Sequence, residues 1–472
     1  MPPAPFRTDD SAASAQAPPG PALRARRVLR TRWWAGALLV ALVFAALQGL
    51  AGPRVAMNGD AVQYARVALG YLGESPSEAA VRAWDAGCVS TGDAARRITS
   101  VDPIRFREPD TEGDSIAACE RQARHFARPD AGTRRYEQIF ESRIGYPLLS
   151  VPAVAVLGPR LGLWATAVGC TAAAGFLAAA LLTAAGLRPL SAIAGEAVFL
   201  LCPLGEWGVH PLAEGALNAA VLLGLLGVWW LLRRRLLLGG PVCLAGLVAT
   251  SVIKYSSGAL FATALALAAA GCALTVRQAR HRGTLLLGAG GAVAAVLITA
   301  GAAAAGAPGS TETLQDTFTR HYHRSDVPNP WGLLIELNLR FWLYFLREQA
   351  FLPTLLVLSG AGLWLLMRGG RADAAAGRRT LGWVSLAGLL LGVLTVCAHP
   401  VVYEYQRLGA LIWLPAVLGL PLLAEALLAA RARARRAPAA ARRAGAGDGG
   451  GEGRNTPAEP PGSPETLGAS GR

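Results

Sequence analysis

Apolar stretches of about 20 residues recur along most of this chain, and they limit its fold more than any other feature. A helix of about 20 residues crosses the ~30 Å hydrocarbon core of a bilayer. Backbone polar groups inside that core must bond to one another, so stretches of this length form helices. Hydrophobic residues make up 53% of the 472 residues, and charged residues only 16%. The sequence therefore predicts an all-α polytopic membrane protein.

About ten transmembrane helices are predicted, each from an apolar stretch near the required length. The predicted spans are 33–52, 160–186, 189–203, 213–232, 241–256, 257–274, 284–307, 351–367, 380–398 and 408–429. Arginine clusters flank several spans, and the positive-inside rule assigns such clusters to the cytoplasm. This places both termini in the cytoplasm of a multi-pass protein of the cell membrane. These clusters also account for the net charge of +14, so we expect the lipid bilayer, and no nucleic acid, as a partner.

Two tails and one membrane domain make up the predicted organisation. Residues 1–30 are rich in Pro, Ala and Arg, and residues 431–472 are basic and then rich in Gly and Pro. Both are predicted to be disordered cytoplasmic tails. The membrane domain covers residues 31–430. It carries an extracytoplasmic loop at 53–159 and a second outside segment at 308–350.

Two interfacial helices are predicted in the first extracytoplasmic loop. Tyr64, Ala68 and Leu72 recur at helical spacing after Asp60, which is typical of an amphipathic helix on the membrane surface. Asp60 lies at the start of that helix, where it either caps the helix or acts as a carboxylate held at the interface. Residues 145–158 are apolar but too short to cross the bilayer comfortably. The orientation of the later spans also requires that they do not cross it, so we expect a second interfacial helix there.

Ionisable side chains from distant positions share the extracytoplasmic face on this topology. They are Asp60, Glu141, Arg143, His210, Glu214, Lys254, His321, His323, His399 and Glu404. Lys254 is the only lysine in the chain, and it either binds a lipid phosphate or extends to the interface. His210 and Glu214 are four residues apart and would share a helix face, where they could ligate a metal, orient a substrate or cap the helix.

Two residue pairs outside the spans are candidates for a metal site and for a disulfide. His321 and His323 could each offer a ring nitrogen to a metal ion, although two ligands are too few to define a site. Cys88 and Cys119 lie in the long polar loop. We expect them to pair if that loop faces an oxidising compartment.

The order of these features resembles the GT-C superfamily of polyprenyl-phosphate-dependent glycosyltransferases, and in particular its aminoarabinose-transferase and protein O-mannosyltransferase-like branch. In both, an acidic residue, here Asp60, follows the first span and precedes a surface helix. The long loop ends in the segment 140–147, Phe-Glu-Ser-Arg-Ile-Gly-Tyr-Pro, which is similar to the Phe-Glu-Lys-Pro segment of that branch. The family often has an acidic residue at the start of a helix, and the segment 212–214, Leu-Ala-Glu, stands at the corresponding place in this chain. The segment 253–255, Ile-Lys-Tyr, is similar to the Thr-Lys-Gly or Thr-Lys-Tyr element of the family. The likeness covers about residues 30–350.

The resemblance implies a GT-C-like bundle and an enzyme that transfers a sugar. Asp60 would act as the general base that deprotonates the acceptor hydroxyl, and Glu214 would be a second catalytic residue. Glu141, with His321 or His323, could hold a divalent metal ion.

The resemblance also implies the substrates and the residues that bind them. The donor would be a sugar linked to polyprenyl phosphate, and the acceptor an unidentified extracytoplasmic molecule. Contacts with the donor and its phosphate would come from Tyr64, Arg143 and Lys254. Beyond the resemblance, the last outside turn at 403–407 could add contacts, among them one from Arg407. The active face would be extracytoplasmic.

Two other functions stay open on the sequence alone. A transporter or lipid flippase would need broken helices and an inward-facing cavity. A non-catalytic GT-C-like membrane protein would bind a partner through its first loop and would not need Asp60.

Overall fold

Helices are the only regular secondary structure in the described part of the chain. The computed structural model describes residues 32–445 except 54–55, 58, 103, 105–110, 127–130 and 369–371. The predicted tail at 1–30 lies outside the described residues, as does the part 446–472 of the second tail. The chain divides into two units, Met1–Leu423 and Ala424–Arg472, and the account below concerns the first unit except where the last helix is named.

The helices are numbered in chain order. They are α1 (Trp33–Ala51), α2 (Gly59–Tyr71), α3 (Pro76–Val101), α4 (Thr111–Phe126), α5 (Ala131–Glu141), α6 (Gly145–Ala184), α7 (Pro189–Leu201), α8 (Pro203–Gly208), α9 (Glu214–Leu232), α10 (Leu236–Ile253), α11 (Tyr255–Thr275), α12 (Arg282–Ala304), α13 (Ser310–Phe318), α14 (Pro330–Phe351), α15 (Thr354–Met367), α16 (Ala372–Ala398), α17 (Tyr405–Leu408) and α18 (Leu414–Gly445). The last helix continues beyond the predicted end of the membrane domain at residue 430, because the sequence there is rich in Ala and Arg, which favour helices.

Eight described helices are long and apolar enough to cross a membrane, and the prediction of a polytopic all-α membrane protein is confirmed. A ninth span is added if α14 and α15, which are bent by 89° at a short break, count as one. The predicted span at 189–203 corresponds to α7, whose 13 residues reach only about 20 Å. The count of ten therefore stays a prediction.

Helix α6 is broken where the sequence predicted a boundary between a short apolar helix and a span. Gly158 has φ 76° and ψ 170°, which is open to glycine but rarely to other residues, and the following Pro159 lacks an amide hydrogen. The two halves pack against each other, since the Tyr146 hydroxyl donates to the Leu163 carbonyl at 2.8 Å. The first half thus does not extend the span, although its position at a membrane surface stays a prediction.

The described part of the segment 53–159 is folded into helices that contact the longer apolar helices. A capping box of Ser75 and Glu78 begins α3. Further along α3, Cys88 and Cys119 are joined by a disulfide with Cα atoms 5.3 Å apart, which fixes α4 to α3. An ion pair between Asp93 and Arg160 ties α3 to α6 just after its break.

A cluster of buried side chains places α2 and α5 over the ends of α6 and α9. The Tyr64 ring lies edge-on to Phe140 at 5.3 Å and to Tyr146 at 5.2 Å between ring centroids. All three side chains are almost completely buried, and aromatic pairs in this geometry add to the stability that burial provides. The Phe and Tyr of the segment 140–147 therefore fix the helix that carries Asp60.

We predict that removing the disulfide loosens the pair of helices α3 and α4. The bond closes a loop of 31 residues, for which chain entropy gives a stabilisation of about 3–4 kcal/mol. In Cys88→Ser/Cys119→Ser, trypsin should cleave at Arg96, Arg97 and Arg121 faster than in the wild type. Limited proteolysis followed by mass spectrometry measures this. Cys202→Ser is the control, because Cys202 forms no disulfide, and equal cleavage of all three proteins would contradict the prediction.

Candidate active site

A charged cavity of about 320 Å³ lies where α2, the start of α9, the link between α10 and α11, the turn after α13, and α17 meet. Its ionisable lining residues are Asp60, Tyr64, Arg143, Glu214, Lys254, Asp316, Arg320, His321, Arg324, His399, Tyr403, Glu404 and Arg407. Seven of these were predicted from the sequence to take part in catalysis or in binding a substrate or metal. The structure therefore brings together side chains that are up to 347 positions apart along the chain.

Arg407 is the centre of this cavity, because three carboxylates share its guanidinium group. Its Nη1 donates to Asp60 Oδ2 at 3.1 Å, and its Nη2 donates to Glu404 Oε2 at 2.9 Å. Its Nε lies 3.5 Å from Glu214 Oε1, which is an ion pair without hydrogen-bond geometry. Only 10% of the Arg407 side chain is exposed, so these charges are weakly screened by water.

Asp60 is held as an ionised carboxylate. It is the second residue of α2, which begins at Gly59, so it lies inside the first turn and does not cap the helix from outside. Burial works to raise the pKa of Asp60, but the charges of Arg407, Arg143, His321 and Lys254 outweigh burial and lower it. The Tyr136 hydroxyl adds a hydrogen bond to Oδ1 at 3.4 Å.

Two cations line the cavity without a carboxylate partner. Arg143 lies over the Phe140 ring at 4.9 Å and donates to the hydroxyl of Tyr64, while its Nε is buried without a hydrogen-bond acceptor. Lys254 is the single extended residue between α10 and α11. Among the described residues, neither side chain has an acidic group within ion-pair distance. Unpaired cations in a partly buried cavity favour the binding of an anion.

The predicted metal ligands are not assembled into one site. Glu141 accepts from Arg134 at 2.9 Å and from Arg66 at 3.4 Å, and it does not line the cavity. His321 does line it, with its Nδ1 hydrogen-bonded to Asp316 Oδ1 at 3.0 Å, whereas His323 does not. No group of three or more His, Cys, Asp or Glu side chains within the described residues is placed to hold a metal ion, and metal binding stays a prediction.

Several residues of the cavity carried no assigned role in the sequence prediction. His399 was expected only on the same face, and Asp316 was not a candidate. Burial, reinforced by Lys254 and Arg143, lowers the pKa of His399 to about 3, so its imidazole is neutral at ordinary pH. Glu404 directly precedes α17, and Arg407 follows it by three residues within that helix. This spacing was the signal that could have identified the ion pair between Glu404 and Arg407.

His210 lies within electrostatic range of Glu214 but has other direct contacts. Its ring packs against Trp207 at 4.7 Å between centroids, and it does not line the cavity. Glu214 is the first residue of α9, and it does line the cavity. A metal or substrate site shared by the two residues stays a prediction.

A strained turn closes one wall of the cavity. Arg320, His321 and Tyr322 have φ values of 56°, 60° and 60°, and residues other than glycine adopt this left-handed region only at a cost. Arg135 on α5 holds the turn in place. Its guanidinium binds Glu312 at 2.6 Å and Asp326 at 3.0 Å, and it covers the Tyr322 ring at 4.2 Å.

Comparison with protein-family models, curated proteins and solved structures finds no matching family, relative or structure. A function therefore has to be inferred from the chemistry of this cavity.

We predict that Arg135→Gln releases the segment 308–350 from α5. The variant loses ion pairs to two carboxylates and the contact with Tyr322, and charged hydrogen bonds of this kind contribute about 1–3 kcal/mol each. Amide hydrogen exchange in residues 312–327 should become roughly tenfold faster or more. Arg134→Gln is the matched control on the same helix, since Arg134 binds Glu137 and Glu141 within α5. Unchanged exchange in Arg135→Gln would show that the contact does not hold the segment.

We also predict how the contribution of Asp60 to stability depends on pH. The pKa of Asp60 in the folded protein is lowered from 3.8, its value in the unfolded chain. The ionised form therefore stabilises the fold fully at pH values above the unfolded pKa, and this stabilisation is lost as the pH falls through the folded pKa. The difference in melting temperature between wild type and Asp60→Asn should thus be constant from pH 7 to pH 5 and shrink below about pH 4.

Thermal melts of the protein in detergent measure this difference. Asp85→Asn, which changes an exposed carboxylate on α3, is the control and should follow the wild type. A difference that already shrinks between pH 7 and pH 5 would contradict a lowered pKa for Asp60.

Proposed function

We propose that this protein is an integral membrane glycosyltransferase that transfers a sugar from a polyprenyl-phosphate donor to an extracytoplasmic acceptor, with Asp60 as the general base. One observation carries the proposal: a single cavity holds an ionised carboxylate together with two cations, Arg143 and Lys254, that lack acidic partners. A base and a phosphate-binding group in one cavity are what transfer from a lipid phosphate requires.

The phosphate of the donor would bind to Arg143 and Lys254. A guanidinium group presents several hydrogen-bond donors in a fixed plane, and an ammonium group acts as a compact charge. Lys254 joins the ends of two membrane helices, α10 and α11, where the headgroup of a lipid substrate would lie. Charge-assisted hydrogen bonds strengthen as charge builds up on the departing phosphate.

The reaction forms one bond to the anomeric carbon and breaks another. The acceptor oxygen attacks that carbon, and its proton passes to a carboxylate oxygen of Asp60. The bond between the anomeric carbon and the phosphate oxygen breaks, and its electron pair stays on the phosphate. The leaving group, polyprenyl phosphate, stays bound to Arg143 and Lys254 until it is released. The proton on Asp60 then passes to water.

Arg407 and Glu214 would set the position and the charge of the base. Arg407 holds Asp60 in its ionised form by an ion pair at 3.1 Å. Glu214 shares that guanidinium, which limits how strongly Arg407 can neutralise Asp60. A carboxylate with a lowered pKa is a weak base, so proton transfer would accompany the attack of the hydroxyl rather than precede it.

The proposal includes a GT-C-like bundle of about ten spans, with two interfacial helices in the first loop and both termini in the cytoplasm. The cavity supports this topology, because residues predicted on one face of the membrane by arginine placement alone, such as Asp60, Lys254 and Glu404, line it together.

A transporter is the second candidate, and one observation favours it. The 89° bend between α14 and α15 is a broken helix of the kind that transporters use at their binding sites. The break at Leu352 and Pro353 does not line the cavity, however, and the charged lining comes from helix ends and connections. The glycosyltransferase accounts for more of the charged residues.

We predict that Asp60→Asn lowers sugar transfer by roughly a hundredfold or more, the usual effect of losing a general base. The variant should still bind farnesyl phosphate within about threefold of the wild type, since Arg143 and Lys254 are unchanged. Release of polyprenyl phosphate from a panel of polyprenyl-phosphate hexoses and pentoses, with the full-length chain in nanodiscs, measures the reaction.

Asp114→Asn, in the first turn of α4 and outside the cavity, is the matched control and should retain full activity. If Asp60→Asn transferred sugar as fast as the wild type, Asp60 would not be the general base. Transport into proteoliposomes by a wild type that releases no polyprenyl phosphate would favour the transporter instead.

A further inference from the structure

A second pair of cations lines the same cavity on the side of the second outside segment. Arg320 and Arg324 belong to the turn after α13, and both contribute to the lining. Neither makes an ion pair with an acidic side chain in the described part of the chain. They come from a different element than Arg143 and Lys254, so the cavity contains two separate groups of unpaired positive charge.

Acids near this second pair are engaged elsewhere. Glu312 and Asp326 bind Arg135, and Asp316 binds His321. The other acids of the cavity, Asp60, Glu214 and Glu404, share the guanidinium group of Arg407. The walls of the cavity thus leave the charges of Arg320 and Arg324 for water or for a ligand.

The backbone that carries this pair is held in a costly conformation. Three successive left-handed residues persist only where surrounding contacts fix them, and such strain is concentrated at functional sites. Here the Tyr322 amide donates to Thr319 Oγ1 at 2.9 Å and the His321 amide donates to the Asp316 carbonyl at 2.8 Å. The Tyr322 hydroxyl donates to the Glu312 carbonyl at 2.9 Å. Exposed arginines that served solubility alone would not need a strained turn.

Asp60 lies within electrostatic range of both sides of the cavity. Its charge interacts with His321 of the strained turn and with Lys254 of the membrane helices. The reacting centre would therefore lie in the same cavity as both pairs of cations.

We propose that Arg320 and Arg324 form a second anion subsite, separate from the one at Arg143 and Lys254, which binds a second phosphate or carboxylate group of the substrates. The inference rests on the proposed function, because that function assigns the first subsite to the phosphate of the donor. The second anion belongs either to a diphosphate donor or to an anionic acceptor chain in water, and both sources present the same chemistry to two guanidinium groups.

The test compares three probes on the full-length chain in phosphatidylcholine nanodiscs: farnesyl phosphate, farnesyl diphosphate and a trimer of glycerol phosphate. Arg320→Gln/Arg324→Gln should weaken binding of the diphosphate or of the trimer by about tenfold or more, and leave the monophosphate within about threefold. Loss confined to the diphosphate assigns the second anion to the donor, and loss confined to the trimer assigns it to the acceptor.

Two further variants complete the design. Arg143→Gln/Lys254→Gln should weaken the monophosphate instead. Arg340→Gln/Arg347→Gln, which changes exposed arginines of α14 outside the cavity, should bind all three probes as the wild type does.

The second subsite is overturned if Arg320→Gln/Arg324→Gln binds the diphosphate and the trimer normally, or if it loses the monophosphate to the same degree. A wild type that fails to bind farnesyl phosphate overturns the proposed function itself, whatever the other two probes show.

Discussion

One guanidinium group, that of Arg407, joins three carboxylates that come from distant parts of the chain. Removing so many charges from water is unfavourable unless each has a partner, and taking away one partner leaves the others exposed to that cost. The contacts with Asp60 and Glu214 therefore fix α2 and the start of α9 relative to α17. The cavity has its shape because these elements cannot separate without leaving charges buried and unpaired.

Aromatic packing also holds α2 in position next to this cluster of charges. Tyr64, Phe140 and Tyr146 form a buried group of rings, and Arg143 lies between the last two in sequence and over the Phe140 ring. The same short segment thus supplies both the packing that positions α2 and a cation for the cavity. Tyr64 is a buried packing residue that also lines the cavity, and its contact with a substrate stays a prediction.

Length and hydropathy were enough to predict the polytopic helical class, because these signals are local, and the predicted end of the short apolar segment at residue 158 coincides with the break in α6. Ion pairs between residues far apart in the sequence were not predictable in the same way. Glu141 was a metal candidate, but the fold places it against Arg66 and Arg134, and only tertiary structure decides which of several cations a carboxylate meets. Periodicity likewise carried no information on the left-handed turn, since nothing in the residue types at 320–322 signals it.

The balance of charge in the cavity has a consequence for the proposed reaction. Arg143 and Lys254 are among the charges that lower the pKa of Asp60. The phosphodiester of the donor carries one negative charge, which would offset part of their positive charge, and nearby negative charge favours the protonated form of a carboxyl group. The pKa of Asp60 would therefore rise when the donor binds, so the carboxylate would become a stronger base only with the lipid phosphate in place. Before the donor binds, Asp60 would be a weak base and would activate neither water nor an acceptor hydroxyl efficiently.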